Sequence, residues 1–151
     1  MGTDRIKVFV AHNVTGAVKD GVREASLVAL LEQLKQTGVV VCDPEETAIP
    51  PEDYAARFSY CLDEIRSSDA VVVDASKRLG LGVGAEMMFA KQLDISVFVI
   101  CPTDSYYRRS KPADDGAHEW FHPFIYGLAT KVFGSTKECS AAIEVLSASR
   151  L

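Results

Sequence analysis

Between residues 68 and 91 the chain sets a carboxylate, Asp74, at the end of an apolar run. Three alternating glycines follow, Gly80, Gly82 and Gly84, and then a second carboxylate, Glu86, opens a helical pattern. In open α/β sheets, a loop leading from a strand end to a helix is where ligands bind. Glycines there let the backbone approach a ligand closely. Glu86 would sit on the floor of such a crevice, with few side chains around it. His12 ends the first apolar run and would face the same crevice, with Asn13 beside it.

Each of these residues also has a plain structural use. Asp74 could cap the turn that follows it. Glu86 could be a first-turn carboxylate favoured by the helix dipole, worth about 0.3–1 kcal/mol. A histidine at the position of His12 can simply pack in a loop, and Met87, Met88 and Phe89 read as core at helical spacing.

Two further patterns were weighed. His118-Glu-Trp-Phe-His122 matches the H-E-x-x-H zinc signature. That chemistry needs both histidines on one helical face. Pro123 disfavours helix at His122, and Pro112 and Gly116 supply none upstream. Gly80-x-Gly82-x-x-Ala85 fits a loose dinucleotide fingerprint, but it puts the Glu86 charge where a pyrophosphate would lie. The acidic residue expected at the next strand end is missing, since that strand ends at Cys101. We therefore expect neither a metal nor a cofactor.

The elements that must position these groups alternate. Apolar runs at Ile6–Ala11, Val39–Cys42, Ala70–Asp74, Ile95–Ile100 and Lys131–Phe133 predict strands. Leu27, Leu30, Leu31 and Leu34 predict a helix ending at Gly38. Tyr54, Phe58, Cys61, Leu62 and Ile65 fall on one face of a second helix, and Glu86–Leu93 predicts a third. Ser135-x-x-Glu138 is a capping box opening a last helix through Leu146. Residues 103–119 lack an apolar period and read as a flap or a mobile edge. This order predicts an α/β fold with a mostly parallel five-stranded sheet between helices, forming a single domain over residues 1–151.

Composition agrees: 151 residues, 48% hydrophobic and 25% charged, with a net charge of −5. An acidic chain without a basic run argues against a nucleic-acid polymer as partner. No apolar stretch is long enough to span a membrane. The first residues lead straight into a strand pattern, without a signal-peptide core or a full myristoylation motif. The four cysteines are widely spaced and read as free thiols. The expected compartment is the cytoplasm.

Ser-Asp-Ala-Val-Val-Val-Asp-Ala-Ser76 and Leu81-Gly-Val-Gly-x-Glu86 resemble the nucleoside 2-deoxyribosyltransferase superfamily, which includes deoxyribonucleoside 5′-phosphate N-glycosidases. Pro123-Phe124 and Val132-Phe-x-Ser-x-x-Glu138 are similar to the transferase branch. The resemblance implies a Rossmann-like, flavodoxin-like sandwich. It also implies a homodimer or larger assembly in which the partner completes the pocket. The substrate it implies is a small nucleoside or nucleotide. Glu86 would attack the anomeric carbon, the base would leave, and a second base or water would resolve the glycosyl ester. The helix N-terminus would keep Glu86 ionised. His12, Asn13, Asp74 and the glycine loop would shape the sugar and base pocket.

The chain also departs from the family pattern. Relatives carry an Asp on the helix before the third strand. Cys61 stands there, with Asp63 two residues on as a substitute acid or orienter. Two helical residues turn the side chain through about 200°. Phosphate-binding relatives have Ser at the place of Gly80, and Lys77 and Arg78 could hold a phosphate instead. Two functions follow from the resemblance: an N-glycoside-cleaving or -transferring enzyme, or a catalytically silent nucleotide-binding module on the same scaffold.

Overall fold

A computed structural model describes residues 5–13, 25–113 and 116–150, without the side chains of residues 111–118. Five strands form one parallel sheet: β1 (Lys7–Ala11), β2 (Val40–Cys42), β3 (Ala70–Asp74), β4 (Ser96–Ile100) and β7 (Lys131–Phe133), in the order β2-β1-β3-β4-β7. Phe9 pairs with Cys42 on one side of β1 and with Val71 on the other. The central strands are apolar on both faces because both are covered. Val8, Val10, Ala70 and Val72 pack with Leu27, Leu30, Leu31 and Leu34 of α1 (Ala25–Gln36) and with Cys139 and Ile143 of α5 (Thr136–Ala148). Phe9, Ala11, Val71, Val73, Val97 and Val99 pack on the opposite side. Their partners there are Ile65 of α2 (Tyr54–Arg66), Val83, Met87 and Ala90 of α3 (Leu81–Gln92), and Ile125 and Leu128 of α4 (Pro123–Leu128).

Local signals set the ends of the helices. Gly38 adopts φ +82° just past α1, a left-handed conformation that glycine takes without a Cβ penalty. Asp53 caps α2 by accepting the Ala56 N–H at 3.1 Å. Ser135 accepts the Glu138 N–H, as the capping box predicts, while Glu138 reaches back to the Gly134 N–H at 2.9 Å.

Three elements differ from expectation. α3 begins at Leu81, five residues before Glu86, so Gly82 and Gly84 belong to the helix and Gly80 is its N-cap. Residues within 103–119 form part of an antiparallel hairpin, β5 (Arg108–Ala113) with β6 (Gly116–Phe121), outside the main sheet. Ladder hydrogen bonds need no apolar period, which is why sequence patterning left this segment blank. α4 was not foreseen; Pro123 opens it at the first helical position, where a missing N–H is harmless. The H-E-x-x-H residues are accordingly split between a strand and a helix cap: β6 holds His118, and His122 Nδ1 accepts the Phe124 N–H. The helical face required for zinc is absent.

No helix among the described residues is long and apolar enough to cross a membrane. All four cysteines are free thiols, as expected.

Candidate active site

The chain runs from β1 outward to β2, then returns across β1 to β3. The strand order therefore reverses between β1 and β3, and their carboxyl ends open a crevice at that switch point. A cavity of about 430 Å³ lies there, lined by His12 and Asn13 after β1, Arg78 to Gly80 after β3, and Gly82 and Glu86 of α3. Glu86 reaches it from the second helical turn because helical side chains lean toward the N-terminus. That direction carries the carboxylate over Gly82, one turn earlier on the same face. Gly82 has no side chain to fill the space.

A second cavity of about 220 Å³ adjoins the first and shares Gly82 and Glu86 with it. Its walls are largely apolar: Pro44, Phe58, Cys61, Leu62 and Ala85, with Arg57 as the added charge. Arg57 is turned toward the preceding loop, donating to the Pro50 and Ile49 carbonyls at 3.2 and 2.8 Å. Glu86 thus stands at the junction of a polar chamber and an apolar one.

Burial of Glu86 pushes its carboxyl up to about 7, and the charge of His12 pulls in the opposite direction. Its Oε2 is buried, with no hydrogen-bond partner among the described residues. This corrects the expectation that the helix N-terminus keeps Glu86 fully ionised. A dipole contribution below 1 kcal/mol is under one pH unit, and desolvation outweighs it. The dinucleotide reading still meets an obstacle, because the carboxylate lines the chamber that a pyrophosphate would need.

His12 is buried, with Nε2 2.8 Å from Asp43 Oδ1 and Nδ1 3.1 Å from the Asn13 carbonyl oxygen. Burial alone would lower its pKa, but the hydrogen bonds to Asp43 and Asn13 and the charges of Asp43 and Glu45 together raise it. Donor atoms of His12, Asp43 and Glu45 lie within 4.8 Å of one another, close enough for one cation to reach all three. His12 faces an oxygen at both ring nitrogens, Asp43 Oδ1 and the Asn13 carbonyl.

Asn13 fixes the loop across the crevice. Its amide donates to the Arg78 carbonyl, and its Oδ1 accepts the Gly80 N–H. A Cβ on Gly80 would lie 3.1 Å from that same oxygen. A side chain at this position would press on the Asn13 amide, which would have to give by a few tenths of an ångström. From the other side, the Tyr107 hydroxyl accepts the Leu79 N–H at 2.7 Å, and Arg78 lies over the Tyr106 ring at 4.3 Å.

The structure brings together His12, Asn13, Gly80, Gly82 and Glu86 of the residues singled out from the sequence. It does not bring in three others. Asp63 is exposed and paired with Arg66 at 2.8 Å, because two residues along α2 rotate it away from Cys61. Asp74 accepts the Ser76 N–H and hydroxyl at 3.0 and 2.6 Å and lines neither chamber, which is its turn-capping use. Gly84 is exposed on α3 and lines neither chamber. Cys61 does line the apolar chamber. Burial, then the neighbouring Glu86 carboxylate, push its thiol up to about 11, so it stays protonated near neutrality. Sequence reading missed Asp43 and Phe58. Asp43 directly follows β2, so applying the strand-end rule to that strand would have found it; Phe58 carried no chemical signal.

The fold and site together define an α/β sandwich of flavodoxin-like strand order with a buried carboxylate at its switch point. Similar solved structures extend this comparison across nearly the whole chain. A conserved protein from Enterococcus faecalis V583 superposes with TM-score 0.69 at 19% identity, covering 94% of this chain and 99% of that one. A 2-deoxyribosyltransferase from Leishmania mexicana gives 0.64 at 18% identity, covering 93% and 97%. A CMP N-glycosidase from Clostridium botulinum gives 0.52 at 14% identity, covering 92% and 98%. No protein-family model matches the chain, and no curated protein matches it in sequence. The structure thus resembles the nucleoside 2-deoxyribosyltransferase superfamily at the level of fold, in agreement with the motif resemblance.

Proposed function

We propose that this protein cleaves or transfers the N-glycosidic bond of a nucleoside or nucleotide through a covalent glycosyl ester on Glu86. The observation that carries the reading is the place of Glu86, at the junction of the polar and apolar chambers. An N-glycoside has the same division: a hydroxylated sugar on one side of the scissile bond and a flat base on the other. With the sugar against Asn13 and the α3 entry, and the base against Phe58 and Leu62, the anomeric carbon falls beside the carboxylate. Glu86 attacks that carbon as the C–N bond breaks, and the bonding electrons leave with the base. Water, or a second base, then displaces the ester. The naming of similar structures for deoxyribosyl transfer and CMP N-glycoside cleavage supports the same reaction class.

A homodimer belongs to this reading. Leu81, 94% exposed, and Met88 on α3, Tyr54 and Phe58 on α2, and Phe124 and Tyr126 on α4 leave a broad apolar face uncovered. Phe58 also lines the apolar chamber, so a second copy seated on this face would close the site. The second reading, a silent nucleotide-binding module, is favoured by Cys61, a neutral thiol where the motif resemblance implies an acid.

Incubation with a slow 2-fluoro-2-deoxynucleoside separates the two readings. The enzyme reading expects a mass increase on the peptide that holds Glu86, absent from the Glu86→Gln protein. Base release that continues in Glu86→Gln would end the covalent mechanism. Ligand binding without release in the wild type would favour the silent module.

A further inference from the structure

A neutral imidazole has one N–H donor and one lone pair, whereas a protonated one has two donors. At His12 both ring nitrogens face acceptors, Asp43 Oδ1 at 2.8 Å and the Asn13 carbonyl at 3.1 Å. Either neutral tautomer would set a lone pair against one of those oxygens. The imidazolium satisfies both, in a pair whose side chains are 6% and 2% exposed. The Asp43 carboxylate also balances its charge, so no net charge is buried in the pair.

The same imidazole lines the polar chamber with Glu86, whose Oε2 has no hydrogen-bond donor among the described residues. An anion in that position needs compensation from elsewhere. Among the described residues, charged and titratable groups come to the pair from several packed elements. Asp43 and Glu45, after β2, act on His12. Arg57 and Cys61, on α2, line the apolar chamber, but Arg57 donates to loop carbonyls and Cys61 stays neutral. Arg78, after β3, is at the rim over Tyr106. His12 is the cation left to act on Glu86 among these.

We propose that His12 is a positioning residue, an imidazolium clamped by Asp43 and the Asn13 carbonyl whose charge favours the anionic form of Glu86. The inference rests on the reading of Glu86 as nucleophile and adds what sets its charge. The charge of the nucleophile on α3 is then governed by a dyad built at the ends of β1 and β2.

Nuclear magnetic resonance on the intact protein tests this without substrate. The ring nitrogens of His12 are expected to show two protonated shifts at pH 7, and to lose that signature in Asp43→Asn. With carboxyl-labelled glutamate, assigned through Glu86→Gln, the Glu86 midpoint is expected to rise by at least one pH unit in His12→Gln. In turnover assays the acid limb of kcat/KM should move with it, falling about tenfold at pH 6 per unit of rise while recovering at alkaline pH. A neutral His12 in the wild type at pH 7 overturns the proposal, as does a Glu86 midpoint unmoved in His12→Gln. A variant that loses activity equally at every pH also counts against it. Should His12→Gln fail to fold, the wild-type and Asp43→Asn nitrogen shifts still decide. Should no N-glycoside be turned over, the function reading fails while these titrations still judge the dyad.

Discussion

Glu86→Gln should stabilise this protein, and by an amount that depends on pH in a defined direction. The carboxyl ionises near pH 7 in the folded chain, against an ordinary value of 4.5. Its folded pKa is raised, so the unfolded chain releases the proton first. Below pH 4.5 both states are protonated and the group contributes nothing to the difference. Between 4.5 and 7 the penalty grows by about 1.4 kcal/mol per pH unit, and above 7 it levels off at about 3 kcal/mol. Glutamine has nearly the same shape and no charge, so the variant escapes this penalty. At pH 9 its melting temperature should exceed the wild type's by roughly 6–12 °C for a chain of this size. The two proteins should converge as the pH falls to 4.5. Calorimetry or urea unfolding across pH 4–9 measures the difference directly. A gap that stays flat across that range would refute the reasoning, as would a variant less stable at pH 9. Either result would mean that Glu86 is solvated or paired in the folded state. On the proposed function, a catalytic group that destabilises its own fold would follow the usual conflict between activity and stability.

Other outcomes follow from the same geometry. The kcat/KM of N-glycoside turnover should fall about tenfold per pH unit below 7, as the Glu86 anion is lost. Asp63→Asn should change turnover less than twofold, since Asp63 is solvent-exposed and pairs only with Arg66 among the described contacts. Gly80→Ala should raise KM severalfold by pressing on the Asn13 amide, and Asn13→Ala should do so by releasing the Arg78–Gly80 loop; unchanged KM values in steady-state assays would show that the loop needs no anchor. Cys61 should react with a disulfide reagent at pH 7.5 roughly two orders of magnitude more slowly than a free thiol, because so little of it is thiolate. Sedimentation should report a dimer that Leu81→Glu converts to monomer, and a monomeric wild type would remove the shared-pocket reading.

Much of the framework was legible because burial on both faces writes a continuous apolar strand. Ala70–Asp74 was read to the residue on that basis, and the leucines of α1 gave its helix. The start of α3 was misplaced because glycine suggests a loop. Here the cost of Gly82 and Gly84 in a helix is offset by packing Val83, Met87 and Ala90 against the sheet. The α2 pattern also misled in part: of the five apolar residues on its predicted face, only Ile65 is buried. Periodicity reports an apolar face but not what covers it. Within the site, strand ends pointed to His12 and Asn13, and a glutamate at the loop–helix junction pointed to Glu86. The pairing of His12 with Asp43 spans 31 residues and depends on the side-by-side register of β1 and β2, which no local pattern encodes.

The hydroxyl of Tyr107 holds the Leu79 amide across a chain separation of 28 residues. It also places the pocket under remote control. Tyr107 immediately precedes the hairpin, its carbonyl accepts the His122 N–H just after the hairpin, and its ring packs edge-on against His122 at 5.6 Å. The hairpin is thus stitched at its base to the residue that steadies the Arg78–Gly80 loop. Changes in the length or twist of the hairpin are expected to be passed to Arg78–Gly80, which line the polar chamber, while Glu86 itself is unaltered. On the proposed function, what enters the chamber and the chemistry done there would rest on different elements. The hairpin can be exchanged to retune what enters, while Glu86, on a helix packed against the sheet, keeps its place.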